Sequence, residues 1–248
     1  ADEPDDEIYR SVRLSGNWQT PVLNLSVPGV QINDPTLVKP PSTDGIDRST
    51  WTYMYVTGPE HMVTEFGDAV SAGFYVSTDG GLTWAFIGSV VGPNAVDANG
   101  YLATGCGFPS VVRDGDYLQL YCTNNIFGSG TTVWRINANG WQIELLGWLP
   151  DFSNVTIPDS PPFFTNVDVW RQGTSEWYMA ANFFSLHSIS IWRGTSRSIF
   201  ETTEVNFFDV DEWLLTPYIV KVTASQFKLW YGKSVAGGLF GLSAPSAQ

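Results

Sequence analysis

Two aspartates attract attention through their places in a recurring strand pattern. Asp34 opens the run Asp34-Pro35-Thr36-Leu37-Val38-Lys39, and Asp168 lies inside Asn166-Val167-Asp168-Val169-Trp170-Arg171. Counted back from the basic residue that ends each run, Asp34 lies five places before Lys39 and Asp168 three before Arg171, so a strand period of two puts both carboxyls on one face. Two carboxyls projecting into one cavity are what cleavage of a glycosidic bond needs, one as base or nucleophile and the other as an acid with a raised pKa. The same residues also admit a structural reading, with Asp34-Pro35 as a turn and Asp168 as a cap on backbone amides. Residue types alone leave both open.

A second group of polar and aromatic residues falls between strands. It comprises Glu60, His61, Glu65 and Asp68, then Asn124, Asn125 and Phe127, then Phe183, Phe184 and His187. Carboxylates, amides and rings suit sugars, whose hydroxyls take planar hydrogen-bonding groups and whose apolar faces stack on aromatics. Asn124, Asn125, Phe127, Phe183 and His187 are therefore the expected substrate-binding residues.

The elements that must position these groups are strands. Short alternating runs rich in Val, Ile, Tyr, Trp and Thr, bounded by Gly, Asp, Asn and Pro, follow one another throughout, and helical periodicity is nearly absent. The fold class is all-β. A repeat is legible: a first strand ending in a basic residue recurs at 34–39, 108–113, 166–171 and 216–221. An aromatic second strand follows at 51–57, 117–123, 177–183 and 227–233, and a third at 72–77, 131–137, 188–193 and 238–244. Outer strands begin at Trp84 and Trp141, with a weaker one near Ile199. Four antiparallel strands per unit, repeated around a ring, make a β-propeller. Residues 1–248 are read as a single propeller domain. The stretch from Trp18 to Leu25 resembles the outer strands, so it is expected to complete the last blade and close the ring. A fifth, degenerate blade is expected in one of the longer intervals, around 92–106 or 199–215.

Cys106 and Cys122 flank a hairpin turning at Arg113-Asp114-Gly115-Asp116. With Asp114-Gly115 at its centre, residue 122 falls almost opposite 107, which predicts a disulfide. Ser77-Thr78-Asp79-Gly80-Gly81-Leu82-Thr83-Trp84 matches the Asp-box pattern S-x-D-x-G-x-x-W, a structural turn between outer strands.

Composition narrows the function classes. With 12 Lys+Arg against 25 Asp+Glu the formal charge is -13, which opposes binding to a nucleic acid through its phosphates. No run of about 18 apolar residues occurs, and no basic amphipathic stretch marks a membrane surface. Two Cys without a His cluster argue against a zinc site. The hydrophobic fraction of 43% supplies a substantial core. The cysteines, the acidic balance and the sequons at Asn24 and Asn154 fit an exported protein, secreted or periplasmic. No cofactor or metal is expected, and the partner is a carbohydrate met by a monomer.

With repeats and carboxyls placed, the chain resembles the five-bladed propeller glycosidases of glycoside hydrolase families 43, 62 and 32. The resemblance spans about 30–195 and rests on three motifs. These are Asn33-Asp34-Pro35, the hairpin from Pro109 to Tyr121, and Asn166-Val167-Asp168-Val169 followed by Trp177-Tyr178-Met179. It implies five blades and a neutral substrate of the arabinan or fructan kind, with Asp34 as general base or nucleophile. The sequence departs from the family where Pro109-Ser110 replaces Pro-Asp and where no Glu-Gly-Pro or Glu-Cys motif supplies the acid. Asp168 is then the in-ring candidate for the acid and Glu65 the loop candidate. The alternative is a propeller that binds carbohydrate or protein without cleaving it.

Overall fold

The computed structural model describes residues 7–10, 13–14, 17–18, 20, 22–26, 32–64, 67–91, 95–96, 102–103, 105–123, 130–149, 164–183, 188–196, 200–208, 212–223 and 226–235. The repeats become antiparallel sheets. Sheet I consists of Asn33–Val38, Thr52–Thr64, Gly67–Ser77 and Ala85–Val91, and sheet II of Gly107–Asp114, Tyr117–Thr123, Thr131–Ile136 and Ile143–Leu149. Sheet III consists of Phe164–Gln172, Glu176–Phe183, Ser188–Gly194 and Phe200–Phe208. In sheet IV the described strands are Glu212–Thr223 and Gln226–Val235, the segment 238–244 lying outside the described residues. Within sheets I to III each strand pairs with the next in sequence, from the inner strand to the outer.

Alternation explains how the sheets stack. In the second strand of sheet I, Tyr53 and Tyr55 face sheet II, where they share a core with Leu118, Leu120 and Cys122. Met54 and Val56, one step out of phase, face the other way. Sheet III repeats the pattern, with Trp177, Met179 and Ala181 turned to sheet II and Tyr178 and Ala180 to sheet IV. A strand buried on both faces has little room for charge, which accounts for a charged fraction of only 15%.

The N-terminal stretch forms a hairpin of its own beside sheet I, and the segment 238–244 that it would join in the last blade lies outside the described residues. Val22–Ser26 pairs with Glu7–Arg10, and among the described residues no ladder joins this hairpin to sheet IV. Ile8 and Leu25 pack with Met54, Val56 and Tyr75 on the face of sheet I turned away from sheet II. With its carboxamide oriented to satisfy both partners, Asn24 donates to the Gly81 carbonyl and accepts from Trp84 Nε1. The first sequon therefore serves as a clasp onto sheet I. The intervals proposed for a further blade hold a short ladder of Ala95–Val96 with Leu102–Ala103, and the outer strand of sheet III.

The turn at Ser77–Trp84 has the geometry its sequence requires. Asp79 Oδ1 accepts from the Leu82 and Thr83 amides at 3.0 Å each and from the Ser77 hydroxyl at 2.7 Å. The Thr83 hydroxyl donates to Asp79 Oδ2 at 2.6 Å, and these bonds, led by those from the Thr83 and Ser77 hydroxyls, hold the Asp79 carboxyl well below the usual carboxylate range.

Cys106 and Cys122 form the expected disulfide, with Cα atoms 4.6 Å apart. The hairpin between them turns one residue later than anticipated. Asp114 pairs with Tyr117, so Gly115-Asp116 is the two-residue centre, and Gly115 takes the left-handed φ of 64° that such a turn favours.

Candidate active site

A local irregularity shared by the inner strands builds the site. In all four the register slips at the same place, between Asn33 and Thr36, Gly107 and Ser110, Thr165 and Asp168, and Leu215 and Tyr218. A bulge re-aims the side chains it carries. In sheets I to III the first bulged residue has a left-handed backbone: Asp34 at φ 51°, Phe108 at 48° and Asn166 at 48°. Asp and Asn tolerate this region because their short polar side chains bond locally, whereas a bulky aromatic does not.

A bulge also frees amides from the ladder, and buried amides need acceptors. The preceding sheet supplies them. Phe108 N–H donates to Thr57 Oγ1 and Asn166 N–H to Thr123 Oγ1, both at 2.9 Å. Three residues along, a second set crosses these junctions and the next: Val111 N–H donates to Thr36 Oγ1 at 3.2 Å, Val169 N–H to Ser110 Oγ at 3.0 Å, and Ile219 N–H to Asp168 Oδ2 at 2.8 Å. Thr36, Ser110 and Asp168 thus hold equivalent positions and tie each inner strand to the next.

Asp34 and Asp168 line one cavity of about 590 Å³ enclosed by the four inner strands, together with Phe108, Asn166 and Tyr218. Both aspartates thus belong to the lining of one cavity, at places that are not equivalent, Asp34 within the bulge of its strand and Asp168 just after its own. Asp34 is half-buried, and its Oδ2 lies 3.4 Å from the Thr57 hydroxyl that donates toward it. Asp168 is buried and accepts from Ser110 Oγ at 2.8 Å as well as from the Ile219 amide. Burial pushes its pKa up to about 7, although the Ile219 amide and the Ser110 hydroxyl both favour the charged form. The amide-capping reading of Asp168 thus describes what its oxygens do, in a residue that also faces the cavity.

Of the remaining sequence candidates, Glu65, Asn124, Asn125, Phe127 and His187 lie outside the described residues. Phe183 ends the second strand of sheet III, opposite Phe164. Sequence reasoning missed Phe108, Asn166 and Tyr218 as cavity residues and Ser110 as a tie. The signal for the first two was available, since both occupy the place of Asp34 in the repeat. Among the described residues no cluster of three or more His, Cys, Asp or Glu has the arrangement of a metal site.

No family model and no curated protein matches the sequence. Solved structures do match in shape. A GH43 β-1,3-galactosidase solved with galactodeoxynojirimycin superposes with a TM-score of 0.55 at 10% identity, over 90% of this chain and 72% of that one. An α-L-arabinofuranosidase from Clostridium thermocellum gives 0.53 at 14% identity, over 88% and 72%. The chain has the fold of the family 43 glycoside hydrolases. An exo-β-1,3-galactanase from Clostridium thermocellum gives 0.54 at 12% identity over 86% of this chain, which spans about half of that protein, 48% of its length. The glycosidases with this fold are β-propellers, and the four-stranded antiparallel sheets I to III have the form of their blades.

Proposed function

We propose that this chain is a glycoside hydrolase-like propeller that cleaves a neutral oligo- or polysaccharide, with Asp34 as base or nucleophile and Asp168 as proton donor. The observation that carries this reading is that Asp34 and Asp168 both line one cavity in a chain with the fold of glycosidases. Thr36 and Ser110 make the same junction tie with a neutral hydroxyl. A carboxyl at the third junction is thus more than the tie requires, and it carries a desolvation cost. A pKa of about 7 is the value that general acid catalysis near neutrality favours. The substrate range extends from arabinans and fructans to β-1,3-galactans, in keeping with the names of the structural neighbours. The disulfide supports an exported protein.

A second reading has its own support. Both Asp168 oxygens accept hydrogen bonds within the protein, as they would in a propeller that binds sugar without breaking it. Reducing-sugar release from arabinan, xylan, fructan and β-1,3-galactan separates the two. Asn at position 34 fits the backbone, because Asn166 adopts the same left-handed conformation in sheet III. Asp34→Asn should therefore fold and lose roughly a hundred- to ten-thousandfold in kcat/KM. Wild-type protein that binds a glycan and releases nothing from it would establish the second reading.

A further inference from the structure

The left-handed residue of sheet II has no local reason to be phenylalanine. Asp34 and Asn166, at the equivalent places, are residue types that accept a positive φ. Phe108 meets the same φ of 48° with a bulky ring, a conformation that persists only where its surroundings impose it. Core packing does not explain the choice. Phe108 is half-buried and, among the described residues, belongs to none of the apolar clusters between sheets. It lines the shared cavity instead.

Thr57 couples this ring to the carboxyl. Its hydroxyl oxygen accepts from Phe108 N–H at 2.9 Å, and its proton points to Asp34 Oδ2 at 3.4 Å. One side chain of sheet I therefore registers the backbone that bears the ring against the carboxyl.

We propose that Phe108 is the stacking platform for the sugar ring on which Asp34 acts, selecting glycosides that present an unbroken C–H face. An aromatic face attracts the polarised C–H groups of a sugar and leaves its hydroxyls to polar neighbours. The assignment rests on the hydrolase reading for Asp34 as the reacting group. Its recognition chemistry is tested by binding, apart from cleavage.

The test uses the whole chain with Phe108→Asn, which installs the residue type found at 166, and Phe108→Tyr, which keeps a ring. Affinity for galacto-, arabino-, xylo- and fructo-trisaccharides is measured by titration calorimetry, beside melting temperature and product release. The expected result is a loss of at least about tenfold in affinity for the preferred trisaccharide in Phe108→Asn. Its melting temperature should not fall, and Phe108→Tyr should restore binding to within about threefold. Wild-type affinity in a folded Phe108→Asn variant would overturn the platform while leaving the hydrolase reading intact. Binding that depends on Phe108 without any cleavage would support the platform and remove the hydrolase reading. A wild-type protein that binds none of these sugars would overturn both.

Discussion

Asp168 has two duties that can be separated by pH. Its folded pKa of about 7 stands above the ordinary 3.8, a difference of roughly 4 kcal/mol at about 1.4 kcal/mol per pH unit. The group is nearly enclosed, so solvent screens little of it. The sign follows from linkage: the folded state holds its proton more tightly than the unfolded chain, so this contribution is fully present below pH 3.8 and is lost as pH rises through about 7. In Asp168→Asn the amide oxygen still accepts from Ile219 N–H while the amide nitrogen donates to Ser110 Oγ. The melting temperature of the variant relative to wild type should therefore climb between pH 4 and 7 and level off above about 7, as a paired pH series of thermal melts would show. A difference that stays flat across that interval would mean that Asp168 is ionised in the fold. If Asp168 also donates the proton to the leaving group, wild-type kcat/KM falls on the alkaline side of about 7 and the variant loses about a hundredfold or more.

At the scale of elements, the ties between inner strands set how firmly one sheet holds the next. Ser110 occupies the middle of that series, accepting from Val169 N–H and donating to Asp168. Ser110→Ala leaves a buried amide without its acceptor and a buried carboxyl oxygen, Asp168 Oδ1, without its Ser110 donor, so urea unfolding should register a loss of about 1–3 kcal/mol. Because the Ser110 bond helps to keep the Asp168 pKa down, the same variant should shift the pH-dependent limb of stability upward. These ties also mark where sequence reading stops. The strands, the repeat, the disulfide and the Ser77–Trp84 turn were legible because period-two patterns, turn residues and short Cys spacing act locally. The ties were not, because Thr57, Ser110 and Thr123 acquire their partners only when separate repeats meet. The one-residue shift of the Gly115-Asp116 turn came from a glycine taking positive φ. The packing of the N-terminal strand on Met54 and Val56 was not legible either, because likeness to an outer strand says nothing about which apolar face receives it.

For the whole molecule, charge and architecture act together on which glycans approach. Burial of both faces of successive sheets removes charge from the interior, so the excess of 25 acidic over 12 basic residues, a formal -13, is carried mostly outside it. Of the two arginines on the cavity wall, Arg171 is held by Asp114 at 2.8 Å, while Arg113 is exposed and donates from Nε to the Gly115 carbonyl at 3.2 Å. A polyanion therefore meets net repulsion at long range, whereas a neutral glycan does not. Screening shortens that repulsion, since the Debye length falls from about 30 Å at 0.01 M salt to about 10 Å at 0.1 M. Binding of a uronic or sulfated oligosaccharide should thus be weak at 10 mM salt and strengthen severalfold at 100 mM, while a neutral trisaccharide shows no such change. Titrations of both ligand types at the two ionic strengths check this. Tighter binding of the anionic sugar at low salt would place an exposed basic surface at the site and shift the substrate class from neutral to acidic glycans.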